Sequence, residues 1–216
     1  MFIGHFALAL AAKKPAPKIR LGTTVMAAQW LDLLWPICLL LGIEQVRPAP
    51  GITRFTPLDF VSYPWTHSLA MALAWSILFA VIFFAIRRDA RGALLVGALV
   101  TSHWVLDYFT HRPDLPLYPG GPKVGLGLWN SIAGTVTIEV LMFVAGAAIY
   151  LTTTRAKDKI GSIALWVFLL LLLGFYVSAA VNPGSPPTQN ELAWSALLMW
   201  IFVPWCYWID RHREVK

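Results

Sequence analysis

Apolar residues in this chain gather in long, nearly unbroken runs, separated either by short basic stretches or by loops rich in Pro and Gly. Runs near the length at which a helix crosses a hydrocarbon core, about twenty residues, fall at 20–43, 66–86, 92–111, 127–153, 160–181 and 191–209. A further run, 2–12, has about half that length. It predicts a short re-entrant or interfacial helix buried against the others. Lacking a basic leader and a small-residue cleavage site, it reads as helix and not as a removable signal. Pro36 and Pro204 lie inside apolar runs and predict kinks there. The expected fold is all-α: a polytopic transmembrane bundle of about six spans plus the short N-terminal helix, forming a single integral membrane domain over 1–216.

Composition agrees with that pattern. Of 216 residues, 58% are hydrophobic and 13% charged, where a water-soluble domain is nearer half and a quarter. Eleven Trp and six Tyr suit aromatic belts at the two membrane interfaces, with Trp65 and Trp129 as examples. The formal charge of +6 raises nucleic acid as a partner, but the basic residues sit in short clusters between apolar runs, which excludes it. Lys13, Lys14, Lys18 and Arg20 form one cluster, and Arg87, Arg88 and Arg91 another. Arg155, Lys157 and Lys159 form a third, and Arg211, Arg213 and Lys216 the last. The other connections, 44–65, 112–126 and 182–190, hold only Arg47, Arg54, Arg112 and Lys123. The two kinds of connection alternate, placing thirteen of the seventeen basic residues on one side. By the positive-inside rule, that side and the C-terminus are cytoplasmic and the Pro/Gly loops face outward.

The polar residues left inside the runs carry the candidate chemistry. Asp32, Asp107 and Glu139 lie within spans, where an unpartnered ionisable group costs several kcal/mol (about 3 on insertion scales) and so marks a function. His5, His67, His103 and His111 lie in or at the ends of apolar runs, whereas His212 belongs to the basic tail. On the alternating topology these residues share the outward half of the bilayer, with Glu139 about 18 Å in from the outer end of its run. His103, Asp107 and His111 follow a spacing of four and stack along one helical face. Imidazole with carboxylate suits a divalent Zn, Mn or Fe. Cys38 and Cys206 offer no thiolate pair. Further imidazole would come from His67 and His5, and further carboxylate from Asp32. Loop 112–126 reads as a turn-rich connector or as a lid, with Arg112 and Lys123 available to an anionic group.

These residues resemble the membrane-bound metal-dependent hydrolase family, which has been likened to zinc-dependent phospholipase C. The resemblance rests on Gly4-His5, on Tyr63-Pro64-Trp65-Thr66-His67-Ser68-Leu69 and on Ser102-His103-Trp104-Val105-Leu106-Asp107. It covers roughly 1–140, making 141–216 accessory spans. It implies His5, Asp32, His67, His103 and Asp107 as metal ligands. Many members carry His-Arg-Gly before the Thr-His-Ser. Here Ser62-Tyr63-Pro64 stands in its place, and His111 or Glu139 is the substitute. The expectation is thus a membrane-embedded hydrolase of an ester or phosphodiester, acting on a lipid or lipid-linked substrate, with Glu139 as general base or further ligand. A divalent-cation or proton-coupled transporter is the alternative, and it requires ionisable residues continuing to the cytoplasmic side. A haem protein fits the carboxylates poorly.

Overall fold

The computed structural model describes residues 1–181 and 185–216. It is a helical bundle with three small two-stranded sheets at the helix ends. The expected outward loop at 182–190 therefore falls partly outside the described residues.

Among the described residues, five helical stretches have the length and apolarity of a membrane span: α5 (Leu69–Arg87), α6 (Ala90–Thr110), α7 (Ile132–Thr153), α8 (Lys159–Val181) and the composite Gln189–Arg211. A sixth span is a bent pair, α2 (Leu21–Ala28) and α3 (Trp30–Leu40), whose axes differ by 56°. The bend corrects one expectation. It falls at Gln29 (φ −99°, ψ 5°), while Pro36 sits within α3. Pro36 still leaves the Asp32 carbonyl without its helical donor, and the Trp200 indole crosses to the neighbouring Leu33 carbonyl at 3.0 Å. The composite span reads α9 (Gln189–Leu197), a 3-10 turn over Leu198–Ile201, then α10 (Phe202–Arg211). Pro204 accounts for that tightened turn, because it cannot donate to the Trp200 carbonyl and its ring crowds it.

The short first helix, α1 (Ile3–Ala11), is apolar on all sides apart from His5 and buried from Ile3 to Ala7. It lies along α7, where Gly146 permits contact that a side chain would block: an added Cβ would stand 2.3 Å from the Ala7 carbonyl oxygen. Phe6 meets Phe168 of α8 and Phe202 of α10 edge-on, so the last spans complete the core around α1. At its foot Asp210 ties four elements together. It accepts from Lys13 Nζ (2.8 Å), the Leu21 amide (2.7 Å) and the Tyr150 hydroxyl (2.9 Å). Beside it β5 (Thr154–Ala156) pairs antiparallel with β6 (Arg213–Val215). This is the basic end of the bundle.

At the opposite end, β1 (Gln45–Pro48) and β2 (Leu58–Ser62) form an antiparallel pair. Its closure brings Glu44, just before β1, against α4 (Pro64–His67), just after β2. Residues 112–126 fold back as β3 (Leu115–Pro116) paired with β4 (Lys123–Val124). The Leu117 carbonyl accepts from the Ala70 amide at 3.0 Å and Leu115 is fully buried, so the segment is a packed connector.

Candidate metal centre

Four helices each bring part of the candidate site. His5 comes from α1, Asp32 from α3, His67 from the end of α4, and His103 with Asp107 from α6. Their side-chain atoms converge. His5 Nε2 lies 3.2 Å from Asp107 Oδ1, and His103 Nε2 lies 3.3 Å from Asp107 Oδ2. His67 Nε2 is 3.3 Å from Asp32 Oδ1 and 3.8 Å from Asp107 Oδ2, while His103 Nε2 is 3.6 Å from Asp32 Oδ1. The His5 and His103 rings stack in parallel, 3.6 Å between centroids. Two adjacent three-residue groups result, His5/His103/Asp107 and Asp32/His67/His103, sharing His103. Asp107 also pairs with the Met1 amino group.

The second nitrogen of two imidazoles is fixed by what surrounds it. His103 Nδ1–H donates to the Ala28 carbonyl at 2.8 Å, one residue before the Gln29 bend. His67 Nδ1–H donates to Thr66 Oγ1 (2.7 Å), whose hydroxyl in turn donates to Glu44 Oε2 (2.7 Å). Glu44 Oε1 accepts the Trp65 and Thr66 amides, both at 2.8 Å, which suits a carboxylate at a helix N-terminus. With Nδ1 protonated, Nε2 of each ring presents a lone pair or an added proton towards the two carboxylates. Among the described residues, His103 Nε2 and both nitrogens of His5 are buried without a hydrogen-bond partner. Their close approach to Asp107 is therefore not aligned as hydrogen bonding. Ligands held about 2.1 Å from a tetrahedral cation stand roughly 3.4 Å apart, and the imidazole–carboxylate distances of 3.2–3.8 Å bracket that spacing. These five residues fit a divalent metal in donor type, burial and spacing.

The remaining candidates are placed differently. His111 is not part of either three-residue group. α6 ends at Thr110, and His111 (φ −64°, ψ 145°) turns off its axis. Its Nδ1–H donates to Asp114 Oδ1 at 2.9 Å, and its ring packs 4.1 Å from Trp129. Trp129, expected as a belt residue, is buried there, while Trp65 is exposed. Burial lowers the pKa of His111 and raises that of Tyr63, whose hydroxyl also donates to Asp114. Arg112 is held by Asp59 and Asp114, and Lys123 Nζ donates to the Val61 carbonyl at 3.1 Å. Glu139 Oε2 accepts the amides of Phe2 (2.8 Å) and Gly4 (3.2 Å), capping α1, whereas its buried Oε1 has no partner among the described residues. Asp32 is the accessible member of the cluster, its side chain 23% exposed against 5% or less for the others.

Fold and site together define a polytopic integral membrane protein with a buried histidine–carboxylate cluster. The chain belongs to the YdjM inner membrane protein family, whose profile matches residues 1–183. It is also similar to Dolichyl-phosphooligosaccharide-protein glycotransferase 2 of Pyrococcus furiosus, at 25% identity over 204 residues. That region is 93% of this chain and 24% of the relative, so the chain spans about a quarter of that protein's length. No solved structure matches the chain.

Proposed function

We propose that this chain is a membrane-embedded, metal-dependent hydrolase of an ester or phosphodiester, working on a lipid or lipid-linked substrate from the outward half of the bilayer. The observation that carries the proposal is the cluster itself: three imidazole Nε2 atoms and two carboxylates facing one another, with Nδ1 of His67 and His103 already donating elsewhere. Lone pairs and carboxylates gathered in a buried site call for a cation among them, beyond the Met1 amino group that pairs with Asp107. His5, Asp32, His67, His103 and Asp107 would hold a divalent metal, zinc by the donor set, with manganese and iron as alternatives. Such a metal supplies Lewis-acid polarisation of the scissile ester or phosphoryl oxygen.

The residues around the ligands have separate tasks in this proposal. The free oxygen of Glu139 takes a proton from the attacking water. The Glu44–Thr66 pair orients His67, and the Ala28 carbonyl orients His103. The exposed edge of Asp32 is the approach for substrate from the side of the bundle. Lys123, bound among the described residues only to a backbone carbonyl, is better placed than the doubly paired Arg112 to receive a phosphate. The orientation follows from the positive-inside rule, which assigns the C-terminus to the cytoplasm and the cluster to the outer half. The similarity to a protein named for a dolichyl-phosphate-linked oligosaccharide supports a lipid-linked phosphoester.

Against the transporter alternative stands the apolar packing below the cluster, where Phe6, Ala9 and Leu10 are fully buried before Lys13 is reached. The test is hydrolysis of a phosphoester panel, including a polyprenyl phosphodiester, by zinc-, manganese- or iron-loaded protein. Release of product by the wild type and at least a hundredfold loss in His67→Ala supports the proposal. Turnover that is absent throughout, or indifferent to His67→Ala, refutes it.

A further inference from the structure

At the basic end, away from the histidine cluster, the bundle holds a groove of about 1020 Å³ between α2, α5, α6 and α10. That is the upper range of volumes found for small-molecule sites, roughly 300–1,000 Å³. Its walls are of two kinds. Met26, Phe79, Phe83 and Leu95 line it with apolar surface, and Phe79 meets Trp30 edge-on at 5.4 Å. At the mouth stand Lys18, Arg20, Arg87 and Arg91, all exposed. The one carboxylate there, Asp89, already caps α6 through the Gly92 amide at 3.0 Å. Among the described residues, the ion pairs of the other basic side chains involve Lys13, Arg47, Arg112 and Arg155, and none of the four at the mouth is paired.

We propose that this groove binds one anionic phospholipid, its phosphate on the Lys18, Arg20, Arg87 and Arg91 cations and an acyl chain along Met26, Phe79 and Phe83. Three features select that occupant. Four unpaired cations at one rim repel one another and are relieved by a phosphate, which arginine receives with two parallel hydrogen bonds. The apolar wall runs on into the exposed outer face of α5 at Ile82 and Ile86, so a chain enters sideways from the bilayer without crossing water. A basic pocket among spans at the positively flanked interface also matches the headgroup level of acidic lipids. A soluble anion would use the rim and leave the apolar wall bare.

The experiment is native mass spectrometry of the full chain released from detergent containing phosphatidylglycerol or phosphatidylcholine with identical acyl chains. One phosphatidylglycerol should be retained at collision energies that strip phosphatidylcholine. Retention should fall roughly tenfold or more in Arg20→Gln/Arg87→Gln/Arg91→Gln, and stay unchanged in Arg155→Gln/Lys157→Gln at the same end but outside the groove. Met26→Trp, which fills the apolar wall and leaves every charge in place, should also lower it. Equal retention of both lipids would overturn the proposal. So would equal loss in the outside control, indifference to Met26→Trp, or displacement of the bound species by millimolar glycerol phosphate.

Discussion

Helices α5 and α6 are partners in one tight hairpin, turned at Arg88, yet they live in different solvents. Only 11% of the span stretch of α5 is buried by protein, against 50% for α6. Ile77, Val81 and Ile86 of α5 point outward at 65%, 58% and 73% exposure, a surface suited to lipid. α6 is the less apolar of the two and turns Val96, Val100, His103 and Asp107 inward. The hairpin teaches that strong hydrophobicity marks where this protein meets the bilayer. Weaker hydrophobicity, wrapped by α1, α2, α3 and α5, marks where it can keep a carboxylate. Between the two helices a close seam survives. Ser76 Oγ donates to the Gly97 carbonyl at 2.7 Å, and a Cβ on Gly97 would come within 3.2 Å of the Ser76 carbonyl oxygen.

The contrast can be broken most severely on the α6 side. Asp107→Ala removes the carboxylate that faces three imidazoles, and metal affinity should fall by more than about 100-fold, exceeding what loss of an outer-shell partner costs. Competition with a chelating dye measures it. On α5 the damaging change is a charge on the lipid face: Leu78→Lys, at mid-span, should cost about 3 kcal/mol of insertion. It is read as a smaller membrane-integrated fraction, while Leu78→Ile should leave that fraction unchanged. Thr66→Val cuts the link from Glu44 to His67 without touching a ligand, and should weaken metal binding by about 10- to 100-fold. Ser76→Ala, which removes the seam's hydrogen bond, should cost about 0.6 kcal/mol, the average found for interhelical hydrogen bonds in membranes, measurable by thermal unfolding in detergent.

Periodicity and length made the spans legible, because the bilayer imposes a uniform requirement on each of them. The His103–Asp107 pair was legible too, since a spacing of four fixes a shared helical face. What tertiary contacts decide was not. The bend at Gln29 lies beside the Ala28 carbonyl, which accepts from His103, a partner 75 residues away, whereas Pro36 is the local signal for a kink. Glu44 reads as a loop acid until the β1–β2 closure brings it onto α4. Glu139 reads as a deep acid until α1 docks and offers it two amides. The separation of His111 has a sequence signal: Pro113 disfavours helix at Arg112, so the stacked face ends there. Asp210 gave no such sign. It looks like part of a charged tail, and its role depends on four elements meeting.

The proposed divalent cation is to be told apart from an imidazolium–carboxylate network in the same cluster. Elemental mass spectrometry of detergent-purified protein, wild type beside His103→Ala/Asp107→Ala, tests it most directly. Near-stoichiometric zinc, manganese or iron is expected in the wild type, with its loss from a double variant that remains folded and membrane-integrated. Metal absent from the wild type even after reconstitution with all three ions, or retained equally by the double variant, would contradict it.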